Sequence, residues 1–223
     1  MGRGRVQQVA AAICLLFFGL GLFAAAFPAQ AQPRPVKLVV LGDSLATGLG
    51  LPAEEAFPAK LARALKAKGL SVDVADAGVS GDTASAGLAR IDWSVPEGTD
   101  AVIVELGAND ALRGVDPKVT RDALDKILRR LKERGIAVLL AGMQAPRNLG
   151  PDYARGFDAI FPELAAQQSV AFYPFFLDGV VTDARLNQRD GIHPNAEGVD
   201  VIVARILPKV EELVNRVRAK SRS

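Results

Sequence analysis

The sequence predicts a three-layer α/β/α sandwich around a parallel sheet of four or five strands, and three observations predict it. Strand-like and helix-like stretches alternate along the chain, the order that lays helices over both faces of a parallel sheet. The strand-like stretches at residues 36–41, 100–106 and 136–141 are near-continuous apolar runs, as strands buried on both faces must be. Three glycine-bearing loops follow strands directly: Gly42-Asp43-Ser44, residues 78–81 and residues 107–109. In such sheets, sites form at the carboxyl ends of the strands, so all three loops should open on one edge.

The first 31 residues stand apart from this pattern. Arg3 and Arg5 form a short positive region, residues 9–27 are apolar without a charge, and Ala29-Gln30-Ala31 fits the small-x-small site of a signal peptidase. A cleaved signal peptide, residues 1–31, is therefore expected, and with it a periplasmic or secreted protein. An uncleaved membrane anchor is the alternative, since residues 9–27 are nearly long enough to span a bilayer. Cys14 lies too early, and follows Ile13 rather than a small residue, to be a lipoprotein cysteine. Residues 32–223 then make one domain by length. Cys14 is the chain's one cysteine, so the exported domain has neither thiol nor disulfide and relies on packing alone. Without Arg3 and Arg5, Lys+Arg falls from 27 to 25 against 25 Asp+Glu. A net charge near zero gives no basic face for nucleic acid. One histidine and no cysteine do not make a zinc site, and no spacing of carboxylates asks for Mg²⁺ or Ca²⁺. No metal or other cofactor is expected.

The elements follow in order. Pro33-Arg34-Pro35 is a stiff lead-in to the first strand, residues 36–41. Phe57, Leu61, Ala64 and Leu65 repeat at helical spacing and Gly69 stops them. Residues 70–75 alternate like a strand, residues 77–82 are a turn-rich loop, and residues 83–91 form a short helix. After the strand at 100–106, Asp116-Pro117 starts a helix with a cap and a proline at its first position. Leu124, Ile127, Leu128 and Leu131 are its buried stripe and Gly135 ends it. The strand at 136–141 leads to a loop, residues 143–152, then to a helix over 153–168 interrupted near Pro162. Residues 170–173 are a short last strand, and residues 174–190 are irregular. Asn195 caps the last helix, which Pro208 should kink or split. No leftover amphipathic stripe demands a second copy, and the chain reads as a monomer.

The chemistry gathers on the three loops and one histidine. A serine hydroxyl such as that of Ser44 needs a base to take its proton before it is a useful nucleophile. Read alone, Ser44 is as well explained as a helix cap. The chain's single histidine, His193, sits in Asp190-Gly191-Ile192-His193-Pro194. An aspartate three residues before a histidine, in a turn stiffened by Gly191 and Pro194, can bend back onto the imidazole and fix its tautomer. Acyl transfer also needs donors for an oxyanion. Gly81 can offer a backbone N–H that no Cβ obstructs, Asn109 its side-chain amide, and Ser44 its own N–H. A plain turn at Gly81 and a helix cap at Asn109 are the alternatives. Gly-x-Ser-x-Gly is absent, which excludes the usual nucleophile elbow of α/β-hydrolases. Asp43, one residue from Ser44, faces elsewhere and reads as a turn-stabilising acceptor.

Four blocks in order resemble the GDSL, or SGNH, hydrolase superfamily: Gly42-Asp43-Ser44-Leu45, Gly81 within Ser80-Gly81-Asp82-Thr83, Gly107-Ala108-Asn109-Asp110, and Asp190-Gly191-Ile192-His193. The resemblance spans most of residues 36–195 and is greatest to bacterial periplasmic esterases of that superfamily. It implies a flavodoxin-like α/β/α sandwich with a five-stranded parallel sheet. It implies Ser44 as nucleophile, His193 as base and Asp190 as its partner, with Ser44, Gly81 and Asn109 around the oxyanion. It implies hydrolysis of a small-molecule acyl ester or thioester, of the acyl-CoA thioesterase, arylesterase or lysophospholipase type. Ala108 replaces the second glycine of Gly-Gly-Asn-Asp, which bears on substrate scope. Residues 143–152 take the place of a loop that lines the acyl site in these relatives. Leu45, Leu106, Leu112 and Met143 are expected to wall an acyl chain. Carbohydrate O-deacetylation, or a periplasmic binding domain with Ser44 as a mere contact, are the competing readings.

Overall fold

Strand β1 (Val36–Gly42) is the hub of the sheet. It pairs in parallel with β2 (Val72–Gly78) on one side and β3 (Ala101–Glu105) on the other. Strand β4 (Ala137–Ala141) pairs with β3, and β5 (Ala171–Tyr173) with β4, both in parallel. The order is β2-β1-β3-β4-β5, the flavodoxin-like arrangement of a five-stranded parallel sheet. The computed structural model describes residues 34–221. The expected signal peptide, its Ala29-Gln30-Ala31 site and Cys14 lie outside the described residues. Among the described residues, no helix is long and apolar enough to cross a membrane.

The apolar runs become strands because both sheet faces are covered. Leu38, Val40 and Leu41 of β1, all of β3, and Leu139 and Leu140 of β4 are buried. The helices are α1 (Ser44–Thr47), α2 (Phe57–Ala67), α3 (Ala84–Ala89), α4 (Ile91–Ser94), α5 (Ala108–Leu112), α6 (Pro117–Glu133), α7 (Pro151–Asp158), α8 (Ile160–Gln168) and α9 (Ala196–Lys220). Helices α2 and α9 pack together on the sheet, as do α3, α6 and α8. Strand β2 is reached from β1 in one direction, while β4 and β5 are reached from β3 in the other. Right-handed crossovers therefore put α2 on one face and α6 and α8 on the opposite face.

Caps set several boundaries as the sequence implies. Asp116 accepts the Lys118 N–H at 2.9 Å ahead of Pro117, and Asn195 Oδ1 accepts the Gly198 N–H at 2.9 Å. Elsewhere the structure departs from expectation. Strand β2 runs over Val72–Gly78, not 70–75. Leu70 belongs to the end of α2: Gly69 turns at φ +72° and the Leu70 N–H reaches back to the Leu65 carbonyl at 3.0 Å, the six-to-one bond of a Schellman cap. At its other end β2 extends through Ala77 and Gly78, which pair with Leu41 and Gly42. The helix expected over 83–91 is two short ones that meet at Arg90. The break near Pro162 falls at Ala159, because a proline at 162 has no N–H for the Asp158 carbonyl one turn earlier. Pro208 does not split α9, which is one helix of 25 residues. Buried Ile202, Ile206, Val210 and Leu213 on both sides of the proline hold it to the sheet.

The strand order reverses between β1 and β3. The crevice outside their carboxyl ends is where ligands bind in sheets of this kind, and it is flanked by Ser44 after β1 and Asn109 after β3.

Candidate active site

The turn that carries Ser44 is built by Gly42 and Asp43. Gly42 ends β1, where a Cβ would lie 2.5 Å from Glu105 Oε2 and 2.6 Å from the Ala46 Cβ. Asp43 is the cap of α1: its Oδ1 accepts the Leu45 N–H at 2.9 Å. The capping role is therefore filled by Asp43, and Ser44 is left as the first residue of α1, 7 % exposed. Its own N–H is one of the first-turn donors that no intrahelical carbonyl meets.

His193 arrives from the irregular stretch before α9. Its Nε2 is 3.0 Å from Ser44 Oγ, and its Nδ1 is 2.7 Å from Asp190 Oδ2. Asp190 Oδ1 accepts the Ile192 N–H at 2.9 Å and the His193 N–H at 3.0 Å, with Gly191 at φ +69° closing the turn. These donors, the Ile192 amide first and then the imidazole, hold the Asp190 carboxyl down at about 2. The stretch is anchored on both sides. The Gln188 N–H donates to the His193 carbonyl at 2.8 Å, the Asn195 N–H to the Leu186 carbonyl at 2.9 Å, and Gln188 Nε2 to the Leu49 carbonyl at 2.7 Å.

The remaining expected residues, Asn109 and Gly81, are linked to the Ser44 turn through hydrogen bonds. Asn109 follows β3 at the start of α5, and its Nδ2 donates to Asp43 Oδ2 at 3.0 Å and to the Asp82 carbonyl at 3.1 Å. Gly81, at φ +86°, is tied in through its carbonyl, which accepts from Arg113 Nη2 at 2.9 Å. The structure thus joins the Gly81 loop to Asn109 through Asp82, and Asn109 to the Ser44 turn through Asp43.

A cavity of about 500 Å³ opens at this point, with Ser44, Asn109 and His193 in its wall. Leu45, Leu112 and Met143 line it as expected, but Leu106 does not. Leu106 is fully buried and packs against Gly87 of α3, which has no side chain to obstruct it. The segment from Met143 to Arg147 contributes one wall, and Phe175, Leu177 and Val181 contribute another. The second wall comes from residues read only as irregular; the Phe175-Phe176-Leu177 run was the signal for it. Among the described residues, no group of three or more His, Cys, Asp or Glu could hold a metal ion.

Two buried polar systems support the site. Arg90 bonds Asp82 at 2.6 Å, the Ala77 carbonyl at 2.7 Å and the Gly42 carbonyl at 2.9 Å. It therefore pins the Gly81 loop and the end of β2 to the strand that carries Ser44. Beneath the turn, Asp43 and Glu105 are both fully enclosed. Burial pushes the Asp43 carboxyl up to about 6, against the hydrogen bonds it accepts from Leu45 and Asn109. Sequence reasoning did not single out Arg90 or Glu105, because burial is what gives each its role.

The chain is similar to known proteins over most of its length. The family model of the GDSL-like lipase/acylhydrolase family matches residues 40–201. An arylesterase of Vibrio mimicus is 42 % identical over 162 residues, 72 % of this chain and 81 % of that protein. Thioesterase 1/protease 1/lysophospholipase L1 of Escherichia coli K12 is 37 % identical over 179 residues, 80 % of this chain and 85 % of that protein. The crystal structure of TesA superposes with a TM-score of 0.76 at 36 % identity, covering 79 % of this chain and 99 % of that one.

Proposed function

Because this chain belongs to the GDSL-like lipase/acylhydrolase family, we propose that it is an exported serine esterase, working as a monomer on carboxylic esters and thioesters of apolar acyl groups. The observation that carries the reading is the short chain of contacts from Ser44 Oγ through His193 to Asp190 at the mouth of an apolar-walled cavity. Neutral His193 takes the Ser44 proton at Nε2 as Oγ attacks the substrate carbonyl carbon. Asp190, ionised, holds the Nδ1–H tautomer and stabilises the imidazolium. The carbonyl oxygen becomes an oxyanion facing the Ser44 N–H, the Gly81 N–H and the Asn109 amide, which gives up its bond to the Asp82 carbonyl to meet it. As the tetrahedral intermediate collapses, the carbonyl re-forms and the bond to the alcohol or thiol breaks. His193 returns the proton to that leaving group. Water, deprotonated by His193, then attacks the acyl-serine through the same geometry and releases the acid.

The arylesterase and thioesterase/lysophospholipase named among its relatives support both ester and thioester substrates. Leu45, Leu112, Met143 and Phe175 in the cavity wall favour an acyl chain over the acetate of a glycan. Fluorophosphonate labelling combined with a panel of p-nitrophenyl esters, an acyl-CoA and a lysophospholipid tests the reading. Expected are covalent labelling of wild type, none of the Ser44→Ala variant, and turnover abolished in that variant with its fold intact. Retained turnover in Ser44→Ala removes the assignment.

A further inference from the structure

Behind Ser44 lies a carboxyl that the reaction above does not use. Glu105 closes β3, level with Gly42 at the end of β1, and is wholly enclosed. Its Oε2 accepts the Asp43 N–H at 3.2 Å, and the Ala46 amide also interacts with the carboxyl. The carboxyl thus holds the backbone just before Ser44 and faces the amide two residues after it. It reaches there through the space that Gly42 leaves by having no Cβ.

The charge state follows from what surrounds it. Glu105 Oε1 has no hydrogen-bond partner. The buried cation of this turn, Arg90, commits its guanidinium to Asp82 and to the Gly42, Ala77 and Ser94 oxygens instead. The other enclosed carboxyl, Asp43, is its immediate neighbour. Two adjacent carboxylates in an enclosed site without a cation between them do not both ionise. Asp43 has the better claim to the charge, with the Leu45 N–H and Asn109 Nδ2 donating to it. The proton therefore belongs to Glu105. Asp82 and Arg90 from the α3 side, Asp43 from the turn and His193 from the last loop are the titratable and charged groups that face this system.

We infer that Glu105 is a positioning residue for the esterase reaction: as the neutral acid it clamps the nucleophile turn from behind, and its ionisation disarms the site. The inference rests on Ser44 being the nucleophile. Burial, and then the neighbouring Asp43 charge, push the Glu105 carboxyl well above its ordinary range, in agreement with the geometry. When the proton leaves at alkaline pH, a second negative charge appears beneath Ser44. It opposes the oxyanion and competes with the Asp43–Asn109 contact.

The test compares wild type, Glu105→Gln and Glu105→Leu, with kcat and KM for a p-nitrophenyl ester from about pH 6 to 10. Infrared difference spectra of wild type against Glu105→Gln read the acid directly. Glutamine is the neutral isostere, so at pH 7 its kcat stays within about threefold of wild type, and the alkaline fall of wild type is absent. Leucine, which cannot accept the turn amides, loses about 10²-fold in kcat at similar KM. The spectra show the carbonyl band of a protonated buried acid at pH 7. Glutamine as slow as leucine at pH 7, an unchanged alkaline limb, or no acid band at neutral pH each overturns the inference. Should the leucine variant fail to fold, the glutamine profile and the infrared band still decide it. Fluorophosphonate labelling of wild type checks the Ser44 assignment separately, so the two readings fail by different signs.

Discussion

The Asn109 side-chain amide donates to the buried Asp43 carboxylate at 3.0 Å. The aspartate beside Ser44 therefore fixes the orientation of the Asn109 amide, besides capping α1. Removing that amide should be felt mainly in the transition state. Asn109→Ala is expected to lower kcat by about 10²–10³ with KM little changed, measured by steady-state ester hydrolysis. A loss under tenfold would demote Asn109 to a structural role.

Asp43→Asn tests the same contact through stability. An asparagine still caps α1 but cannot titrate. The native carboxyl is raised to about 6 from 3.8, so its proton favours the fold. That contribution is whole below about pH 4 and is lost as pH rises through about 6. The unfolding free energy of Asp43→Asn relative to wild type should therefore rise by about 3 kcal/mol between pH 4 and pH 8. Urea melts at the two pH values measure it, and a pH-independent difference would contradict the buried, raised carboxyl.

Asp190→Asn should cost about 10⁴ in kcat, since the amide cannot hold His193 in the tautomer that accepts the Ser44 proton. The wild-type carboxyl sits at about 2, so Asp190 keeps its charge until the pH falls to that value. Loss of activity on moderate acidification should leave the Asp190–His193 contact formed, which the downfield Nδ1 proton resonance reports.

Arg90→Met removes the cation that joins Asp82 to the Gly42 and Ala77 carbonyls. Breaking a buried ion pair from one side costs about 3–5 kcal/mol, and a denaturant titration should show it. Activity measured well below the melting temperature should also fall, because the Gly81 loop loses its tie to the nucleophile strand.

Gly42→Ala would place a methyl 2.5 Å from Glu105 Oε2 and 2.6 Å from the Ala46 Cβ. Overpacking of this kind costs about 1–3 kcal/mol. Because the clash is directly under Ser44, kcat should fall by more than the stability loss implies. Gly69→Ala, at φ +72° with open space around it, serves as the control: it strains the backbone and leaves turnover unchanged.

Much of this was legible in the sequence, and the reasons are particular. The apolar runs that became β1, β3 and β4 announce themselves because both sheet faces are covered. Asp116-Pro117 and Asn195 mark helix starts because capping is local chemistry. The edge strand β2 was misplaced because Leu70 looks like a strand residue until Gly69 turns it into a helix cap. Pro208 does not split α9, since packing on both sides of it outweighs one lost hydrogen bond. At the site, residue type and spacing pointed to Ser44, His193 and Asp190, and the structure brings the three within hydrogen-bond reach of one another in series. Leu106 could not be placed, since strand register decides which side it faces. Arg90 and Glu105 were invisible for a similar reason: their roles come from partners 48 and 62 positions away.

The turn from Asp190 to His193 places the imidazole and the carboxylate that bonds it three residues apart on one piece of chain, separate from the sheet that carries Ser44. The bonds that join Asp190 to His193 are internal to this one turn, so the pair takes its position from the Gln188 and Asn195 anchors but its own geometry from local chain alone.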